Sequence, residues 1–543
     1  MTGSGTLLDP FIIWDVTDLQ NMELDLTAYY ELGQDIDASG VNFQPVGGWG
    51  GAPLFTGSFN GKRFTISHLA VNRPADNRIG LFGETYGTTI KNVTLEGSAL
   101  TGDSYVGTLA GAADISTFTN INIINTTVVG ADNAGGLGGQ WFGGTVTNCH
   151  SSGSVGSGYN IGGLLGYADE SGGGNIIITD CHSSCAISAT DSLAGGLIGE
   201  AEAVTLLRCY ATGNVSSSDD YIGGLCGWIV GGTASRCFAT GKVTSTNVGG
   251  YGAGGLLGSL AGPITDCYST GDVTAANLND VGGLIGQTWN GGVGDPYSPS
   301  IVNCYSTGLV SGTNPARTGG FIGYVDTPPD QTTTTNCFWD NQTSGTVNGV
   351  VGGNRAGVTG LTTAEMVAGE EFAIAGWLQN IWRLGGGYYP CLIGVSPSCA
   401  YSPIPYPPHP IPPTPPWPPW PPPPPPPPIV TAEVSTLPAT NIAENHATLN
   451  GVLTDSLARY GEVRFQYGVT SAYGMNTPWQ DGFFTGDDFY ANIVNVGEGS
   501  VYHFRAQFRG SPIVSGSDMT FSTLSSLGPV TMVSEELMQL LEG

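Results

Sequence analysis

Cysteine is the most reactive side-chain type in this chain, and seven of its eleven copies occupy one recurring position. Six of the seven are followed six residues later by an aliphatic residue, as Cys149 is by Val155. Metal ligands must converge, no CxxC pair exists, and stacked parallel thiols suit disulfide geometry poorly. The spacing therefore predicts an inward structural ladder rather than a metal or redox site. Its members are Cys149, Cys181, Cys209, Cys237, Cys267, Cys304 and Cys337.

An aromatic or imidazole ring follows each of these cysteines directly. Alternate residues of a strand face opposite sides, so these rings would form a second ladder facing away from the thiols. Aromatic rings with neighbouring hydroxyl groups can bind sugars by stacking. The pattern predicts an exposed binding ladder, with four candidate contact residues. They are Tyr210, Phe238, Tyr268 and Tyr305.

Aspartates recur shortly before a series of glycine-rich segments, and carboxylates at such turns could bind Ca²⁺. The candidates for a calcium site are Asp132, Asp191 and Asp220. The distance from each aspartate to the following glycines varies between two and four residues. Asx turns that solvate a corner explain this irregular spacing better than metal coordination. We therefore predict no cofactor, with calcium as the alternative.

Carboxylate pairs could also cleave a polysaccharide, since glycosidases use two acids and lyases pair Ca²⁺ with a basic residue. The candidate pairs are Asp169 with Glu170 and Asp219 with Asp220. Nothing in their context distinguishes them from solvated turn acids, and no HExxH or GxSxG motif is present. The sequence favours a non-enzymatic protein, with a lyase or hydrolase that uses a lateral groove as the alternative.

The element that positions these residues is a glycine-flanked apolar cassette, which returns nine times, in register with the cysteines. Examples are GGLIG at Gly195–Gly199 and GGLLG at Gly254–Gly258. A fixed period of about 27–37 residues is typical of stacked repeats that cannot bury an apolar face alone. The paired glycines would allow a positive φ or a close approach of coils at a corner. We predict a β-solenoid.

These two motifs together resemble the GLUG repeats of bacterial adhesins, peptidase-associated proteins and phage virion proteins. The resemblance covers about residues 1–400 and implies a right-handed parallel β-helix. It implies an N-terminal cap with the first coils at 1–75, repeats at 76–345 and a C-terminal cap at 346–402. Cys391 and Cys399 lie outside the ladder and could form a disulfide that clamps this end.

A proline-rich run separates the solenoid from a second domain. Residues 403–429 predict a polyproline II stalk, which is semi-rigid and extended. Short alternating segments at 430–525 predict a small β-sandwich that resembles a fibronectin type III domain, with Tyr502 at a tyrosine corner. The remainder, 526–543, predicts a tail with a short helix. Whether that helix docks on its own chain or another is left open.

The composition restricts the partners of this all-β chain. A formal net charge of −29 with only 15 basic residues disfavours nucleic acid, because phosphate binding needs clustered Lys and Arg. No signal peptide is visible and no segment is apolar over the length of a membrane span, so we expect no membrane insertion. We predict an extracellular or virion-surface structural protein, a fibre, appendage or filament subunit. Its expected partners are a cell-surface glycan or protein and further copies of itself.

Overall fold

The computed structural model describes residues 1–48, 51–170, 175–246, 250–275, 278–289, 297–325, 331–351, 355–396, 399, 433–455, 461–483, 488–494, 496–508 and 513–524. These residues belong to two compact units, Met1–Ala400 and Tyr401–Gly543. The predicted stalk at 403–429 and tail at 526–543 lie outside the described residues.

The first unit is an all-β, parallel β-solenoid of about nine turns. Residues of successive coils pair in register, so that Ala110 lies between Phe82 and Gly138, each one coil away. In-register parallel pairing places side chains from neighbouring coils about 4.8 Å apart. Each repeated position of the sequence therefore becomes a column of stacked side chains.

The solenoid strands form five stacks, which we number from the glycine cassettes onward. Stack 1 contains Phe82–Tyr86, the starts of Ala110–Gly135 and Gly138–Gly162, Leu165–Asp169, Ile198–Glu202, Cys226–Val230, Leu257–Ala261, Ile285–Thr288 and Ile322–Val325. Stack 2 contains Phe11–Ile13, Tyr29–Leu32, Ser58–Asn60, Thr89–Glu96, Ile176–Thr179, Val204–Leu207, Thr233–Ser235, Pro263–Thr265, Ser300–Val302 and Thr333–Thr335. The two long strands of stack 1 continue through the other stacks.

The remaining three stacks are built from shorter strands. Stack 3 contains Ile36–Asp37, Thr65–Ser67, His182–Ser183, Tyr210–Ala211, Phe238–Ala239, Tyr268–Ser269, Tyr305–Ser306, Cys337–Asp340 and Val358–Leu361. Stack 4 contains Ala70–Asn72, Ala99–Thr101, Ala186–Ala189, Val215–Ser217, Val243–Ser245, Val273–Ala275 and Val310–Gly312. Stack 5 contains Ser104–Gly107, Ala194–Gly195, Ile222–Gly223, Ala253–Gly254, Val281–Gly282 and Thr318–Gly319.

The glycine cassettes form the corner between stacks 5 and 1. Their central leucines, such as Leu164 and Leu197, are fully buried in the solenoid core. A Cβ atom on Gly163 would lie 2.1 Å from the carbonyl oxygen of Gly196 in the next coil. The prediction offered positive φ or close approach as reasons for these glycines. Close approach of the coils is the reason at Gly163, whose φ is not positive.

A second corner lies directly before the cysteine column, where non-glycine residues adopt the left-handed conformation. These residues are Asn92, Asn120, Asn148, Asp180, Arg208, Arg236, Asp266, Asn303 and Asn336, with φ between 51° and 56°. Asn and Asp tolerate this region best because their side chains hydrogen-bond locally. Here they bond between coils, since the amide of Asn148 donates to Asn120 at 2.8 Å and that of Asn120 to Asn92 at 3.0 Å.

Short helices occur at both ends of the solenoid and at one turn. They are Val16–Gln20, the 3-10 turns Asn21–Leu24 and Pro315–Arg317, Thr363–Ala368 and Glu370–Ile374. Thr362 and Glu365 form a capping box at the start of the helix Thr363–Ala368, which satisfies backbone donors at its first turn. A small antiparallel pair, Trp382–Arg383 with Cys391–Leu392, follows.

The second unit contains two antiparallel sheets. One is formed by Glu433–Thr440, His446–Asp455 and Asp488–Val494. The other is formed by Gly461–Gly468, Met475–Asn476, Gln480–Phe483, Val501–Phe508, Val514–Ser515 and Met519–Ser522. Leu449, Phe465 and Phe504 are fully buried in its core. The Tyr502 hydroxyl accepts a hydrogen bond from the Gly497 amide at 2.8 Å.

Candidate functional site

The seven cysteines predicted to form a ladder all lie inside the solenoid. Each is at most 1% exposed, and none of them takes part in a disulfide. The backbone amide of Cys149 donates to Cys181 Sγ at 3.4 Å, and Cys209 does the same to Cys237. Burial raises the pKa of the thiols of Cys181 and Cys209 well above the ordinary value. The thiols of Cys181 and Cys209 therefore pack the core as neutral groups.

The rings that follow the cysteines form a continuous stack from His150 to Tyr305, but the predicted exposure was wrong for three of the four candidate rings. Tyr210, Phe238, Tyr268 and Tyr305 lie nearly parallel, with successive centroids 4.7, 4.8 and 4.9 Å apart. Phe238, Tyr268 and Tyr305 are at most 3% exposed, and Tyr210 is half-buried. The last three rings of this set therefore cannot serve as a binding surface.

The physical reason is a segment that the repeat pattern does not include. Residues 361–395 pack over these rings, with Phe372, Trp377 and Trp382 forming one apolar cluster with them. The indole nitrogen of Trp382 donates to Asp266 Oδ1 at 3.0 Å. We call residues 361–395 the covering segment. Sequence periodicity could not reveal it, because it has no repeat partner.

Two cysteines outside the ladder lie near the end of the covering segment, one within it and one just beyond it. Cys391 and Cys399, which the sequence suggested could bridge, form a disulfide with their Cα atoms 5.9 Å apart. Between them, the Ser396 hydroxyl lies 2.7 Å from that of Tyr268 and also accepts from the Leu392 amide. The disulfide thus closes a short loop that contacts the ring stack.

Two of the three calcium candidates accept hydrogen bonds from backbone amides. Asp191 Oδ1 accepts from the Ser192 amide at 2.8 Å, and Asp220 Oδ1 accepts from the Tyr251 amide at 2.8 Å. Asp132 is exposed. Within the described part of the chain, no group of three or more His, Cys, Asp or Glu side chains is arranged to hold a metal ion. The Asp191 contact lies within its own turn, whereas the Asp220 contact joins two coils.

The side chains that face outward from stack 1 form the column with the greatest chemical variety. Each is the residue that directly follows a glycine cassette. In coil order the column is Glu84, Ala112, Gln140, Tyr167, Glu200, Trp228, Ser259, Gln287 and Tyr324. Inward positions of the same strands, such as Ala201 and Ile229, are fully buried. The interior is thus uniform while the outward column changes with every coil.

Two tryptophans on this face bracket a coil with a small side chain. Trp228 and Trp289 lie two coils apart, with ring centroids separated by 6.3 Å at an interplanar angle of 86°. Ser259, in the coil between them, is fully buried, and the Gln287 amide lies 3.4 Å from its hydroxyl. Tyr221 stacks on Trp228 at 5.4 Å. We call these five residues the aromatic patch.

The aromatic patch combines apolar ring area with polar groups. Trp289 is 38% exposed, while Trp228 and Tyr221 are partly exposed. Gln287 also hydrogen-bonds to the Tyr221 hydroxyl, whose pKa is raised chiefly by burial. The Trp228 indole N–H is buried beneath this surface and has no acceptor among the described residues. Such a surface can stack on the apolar faces of sugar rings and hydrogen-bond to their hydroxyl groups.

Three carboxylates adjoin the aromatic patch on the same stack. Glu200 is the register neighbour of Trp228, and Glu202 lies two residues further along the same strand. Asp169 pairs with Glu202 across the two strands. We call Asp169, Glu200 and Glu202 the acidic patch. Of the predicted catalytic pairs, Asp169 thus joins Glu202 rather than the exposed Glu170.

The environment of Glu200 favours its protonated form. Glu200 is only 7% exposed, and burial, with a smaller contribution from Glu202, raises its pKa to about 7. A hydrogen bond from Asn160 opposes part of this shift. The pKa of Glu202 is also raised, by burial and by Asp169, although Tyr167 donates a hydrogen bond to it. Burial is the largest cause of both shifts, and repulsion between the neighbouring acids adds to it.

The other predicted acid pair has a structural role. Asp219 Oδ1 accepts from the Asp220 amide at 2.9 Å, and the Asp219 amide donates to Ser217 Oγ at 3.1 Å. These bonds fix the turn that leads into the cassette of the next strand. The aromatic and acidic patches were missed from sequence. A signal for part of them is the residue directly after each cassette, such as Glu200, Trp228 and Gln287, which alternation along the strand places on its outer side.

Comparisons with known proteins find similarity over parts of the chain. No protein-family model matches it. It is 34% identical over 206 residues to halomucin of Haloquadratum walsbyi. The matched region covers 36% of this chain and 2% of halomucin. The chain is 31% identical over 121 residues to an Evansella cellulosilytica protein named as a Gly-rich membrane protein, covering 20% of this chain and 14% of that protein.

One solved structure covers most of the chain. A Bacteroides ovatus protein described as an immunoglobulin A1 protease covers 72% of this chain and 94% of its own, with 20% identity and a TM-score of 0.33. The chain spans only a small part of the two curated relatives. No helix among the described residues has the length and apolar character to cross a membrane.

Proposed function

We propose that this chain is a non-enzymatic extracellular or virion-surface structural protein that adheres to a glycan through the aromatic patch. The observation that carries the proposal is the pair Trp228 and Trp289, which bracket the buried Ser259 on a regular, rigid face. Aromatic side chains contribute most of the contact area in sugar sites, and nearby polar groups set orientation. Gln287 and Tyr221 provide those polar groups here.

The location outside the cell is part of the proposal. Similarity to halomucin and to a protein named as a membrane protein supports a surface role. The repeat pattern supports membership of the GLUG-type adhesins, and the Gly497–Tyr502 hydrogen bond supports a fibronectin type III-like second unit. In this proposal the proline-rich run at 403–429 is a spacer. Copies of the chain assemble into a fibre, appendage or virion, without nucleic acid as a partner.

One observation favours the alternative, a polysaccharide hydrolase or lyase. A carboxylic acid that stays protonated near neutral pH can act as a general acid, and the raised pKa of Glu200 meets that condition. The neighbouring Glu202 and Asp169 provide further carboxylates on the same face. A mechanism would need a bound sugar whose glycosidic oxygen lies within hydrogen-bond reach of Glu200.

The test is retention of the full chain on immobilised bacterial surface polysaccharides, with released reducing or unsaturated sugar ends measured in the same samples. Retention without new ends, lost in Trp228→Ala, supports adhesion through the aromatic patch. The matched control is Trp14→Ala, which removes a tryptophan that is 43% exposed near the N-terminus. New sugar ends that are released by the wild-type protein and not by Glu200→Gln would refute the non-enzymatic proposal and support the hydrolase or lyase alternative. Retention unchanged in Trp228→Ala would refute the assignment of the surface.

A further inference from the structure

One strand of the second unit leaves an edge of its sheet without a pairing strand. Asp488–Val494, which has seven residues, pairs with His446–Asp455 on one side, and no described strand pairs with its other side. We call this other side the open edge. The Tyr490 carbonyl points to it, since that oxygen accepts from Gln480 Nε2, a side chain outside the sheet, at 3.0 Å. Backbone groups alternate between the two sides of a strand, so those of every second residue point to the open edge as well.

The other edges of the two described sheets carry features that oppose pairing with another chain. Glu433–Thr440 contains Pro438, and its register with the neighbouring strand shifts around that proline. The edges of the larger sheet are strands of two and four residues. Prolines, bulges, short strands and Lys side chains are the usual protections of an edge. The open edge has none of them, because the exposed side chains of its strand are Tyr490, Asn492 and Val494.

The sequence of the open edge is complementary to itself in an antiparallel arrangement. With Asn492 opposite its own copy, Tyr490 of each chain lies opposite Val494 of the other chain. All three residues have backbone groups that point to the open edge, so each pair can exchange the two hydrogen bonds of an antiparallel ladder. An aromatic residue opposite a β-branched residue is a favourable cross-strand pair. Tyr490 is 63% exposed and Val494 is 64% exposed, so both side chains are accessible to a second copy.

We propose that two copies of this chain associate through the open edge, with Asn492 on the two-fold axis. The arrangement is isologous, so it closes at two chains. Gln480 releases the Tyr490 carbonyl, which then accepts from the Val494 amide of the second copy. This inference rests on the part of the proposed function in which copies of the chain assemble, and it names the surface they use. Each dimer carries two aromatic patches, and attachment at two points strengthens retention on a polymeric glycan.

The first experiment is sedimentation equilibrium of the full chain over a range of concentrations. Val494→Lys places a charge within the interface, and we expect it to raise the dissociation constant of the dimer at least about tenfold. The matched control is Val469→Lys, which changes a valine that is 63% exposed and lies outside the strands of both sheets. This control should dimerise like the wild-type protein. Thermal unfolding of each variant checks that it folds.

The second experiment tests the register by cross-linking. In the proposed pairing the Cα atoms of the two copies of residue 492 lie about 5.5 Å apart. A short bismaleimide should therefore join Asn492→Cys into a covalent dimer. Val469→Cys, at the same exposed control position, should not be joined. The nine free cysteines of the wild-type chain are all buried, so the unmodified protein gives the background of the reaction.

The outcomes that refute this inference differ from those that refute the proposed function. Dimers that persist unchanged in Val494→Lys refute the open edge as the interface and leave assembly through another surface in place. An equal loss of dimer in Val469→Lys also refutes it, because a general effect of charge would then explain the loss. Failure of Asn492→Cys to cross-link refutes the register. A full chain that is monomeric at every concentration overturns both this inference and the assembly of copies, while retention on polysaccharides tests adhesion separately.

Discussion

Replacement of Glu200 by Gln should stabilise the solenoid at alkaline pH and have no effect at acidic pH. Glu200 is nearly buried beside Glu202 and Asp169, and its pKa is raised from 4.5 to about 7. Glutamine keeps the shape of the side chain and can still bond to Asn160, but it cannot ionise. The variant therefore removes only the cost of the charge.

The magnitude follows from the shift in the pKa. Each unit is worth about 1.4 kcal/mol, so a rise from 4.5 to about 7 corresponds to about 3 kcal/mol. Because the folded-state pKa is the higher one, the stabilising contribution is complete below pH 4.5. It is lost as the pH rises through 7, because the unfolded chain ionises more readily than the folded one. Above pH 7 the wild-type protein bears the full cost.

The assay is equilibrium urea unfolding of the full chain, followed by circular dichroism, at pH values from 4 to 8. The difference in free energy of unfolding between Glu200→Gln and wild type should grow from zero to about 3 kcal/mol across this range. Glu96→Gln, at an exposed site, controls for the general effect of removing a negative charge. A difference that is the same at pH 4 and pH 8 would refute the reasoning, since Glu200 would then not titrate between them.

Three further predictions concern packing. Gly163→Ala should lower the free energy of unfolding by more than about 2 kcal/mol, because its Cβ would lie 2.1 Å from a carbonyl oxygen of the next coil. Gly156→Ala is the control, because the nearest atom there is 3.0 Å away, and denaturation curves of the two variants compare their stabilities. Phe372→Ala should cost about 3–5 kcal/mol and release the covering segment first, which limited proteolysis detects. Reduction of the Cys391–Cys399 disulfide should destabilise this region by about 2.5 kcal/mol, the value expected for a sequence separation of eight residues. Amide hydrogen exchange in residues 381–396 should become faster, and unchanged exchange would contradict the prediction.

Repetition made the interior of the solenoid predictable. Cys149 and Cys181 recur at the same place in their coils, and in-register pairing turns any such recurrence into a column. The cassette glycines could be assigned to a corner for the same reason. The reason for a glycine at position 163 could not be predicted, because a positive φ and a close approach of backbones both require glycine. The φ of Gly163 and its distance to the neighbouring coil distinguish them.

The surface was less predictable than the interior, and Tyr305 shows why. Its position in the repeat gave its stacking partners, yet its exposure depends on Phe372 and Trp377. Those residues belong to the covering segment, which makes its contacts through tertiary packing at the end of the solenoid. Alternation along a strand indicates which face a side chain occupies. It does not indicate whether another part of the chain lies on that face.

The outward column of stack 1 also changes how a repeat protein of this kind should be expected to bind. If every coil offered the same side chain, any coil could serve and binding would scale with length. Instead Glu200, Trp228, Ser259 and Gln287 succeed one another with four different chemistries. The backbone spacing stays constant while the side chains vary, so the proposed ligand would find its contacts at one place along the axis. A local site on a regular scaffold follows, which is why single substitutions at Trp228 can test it.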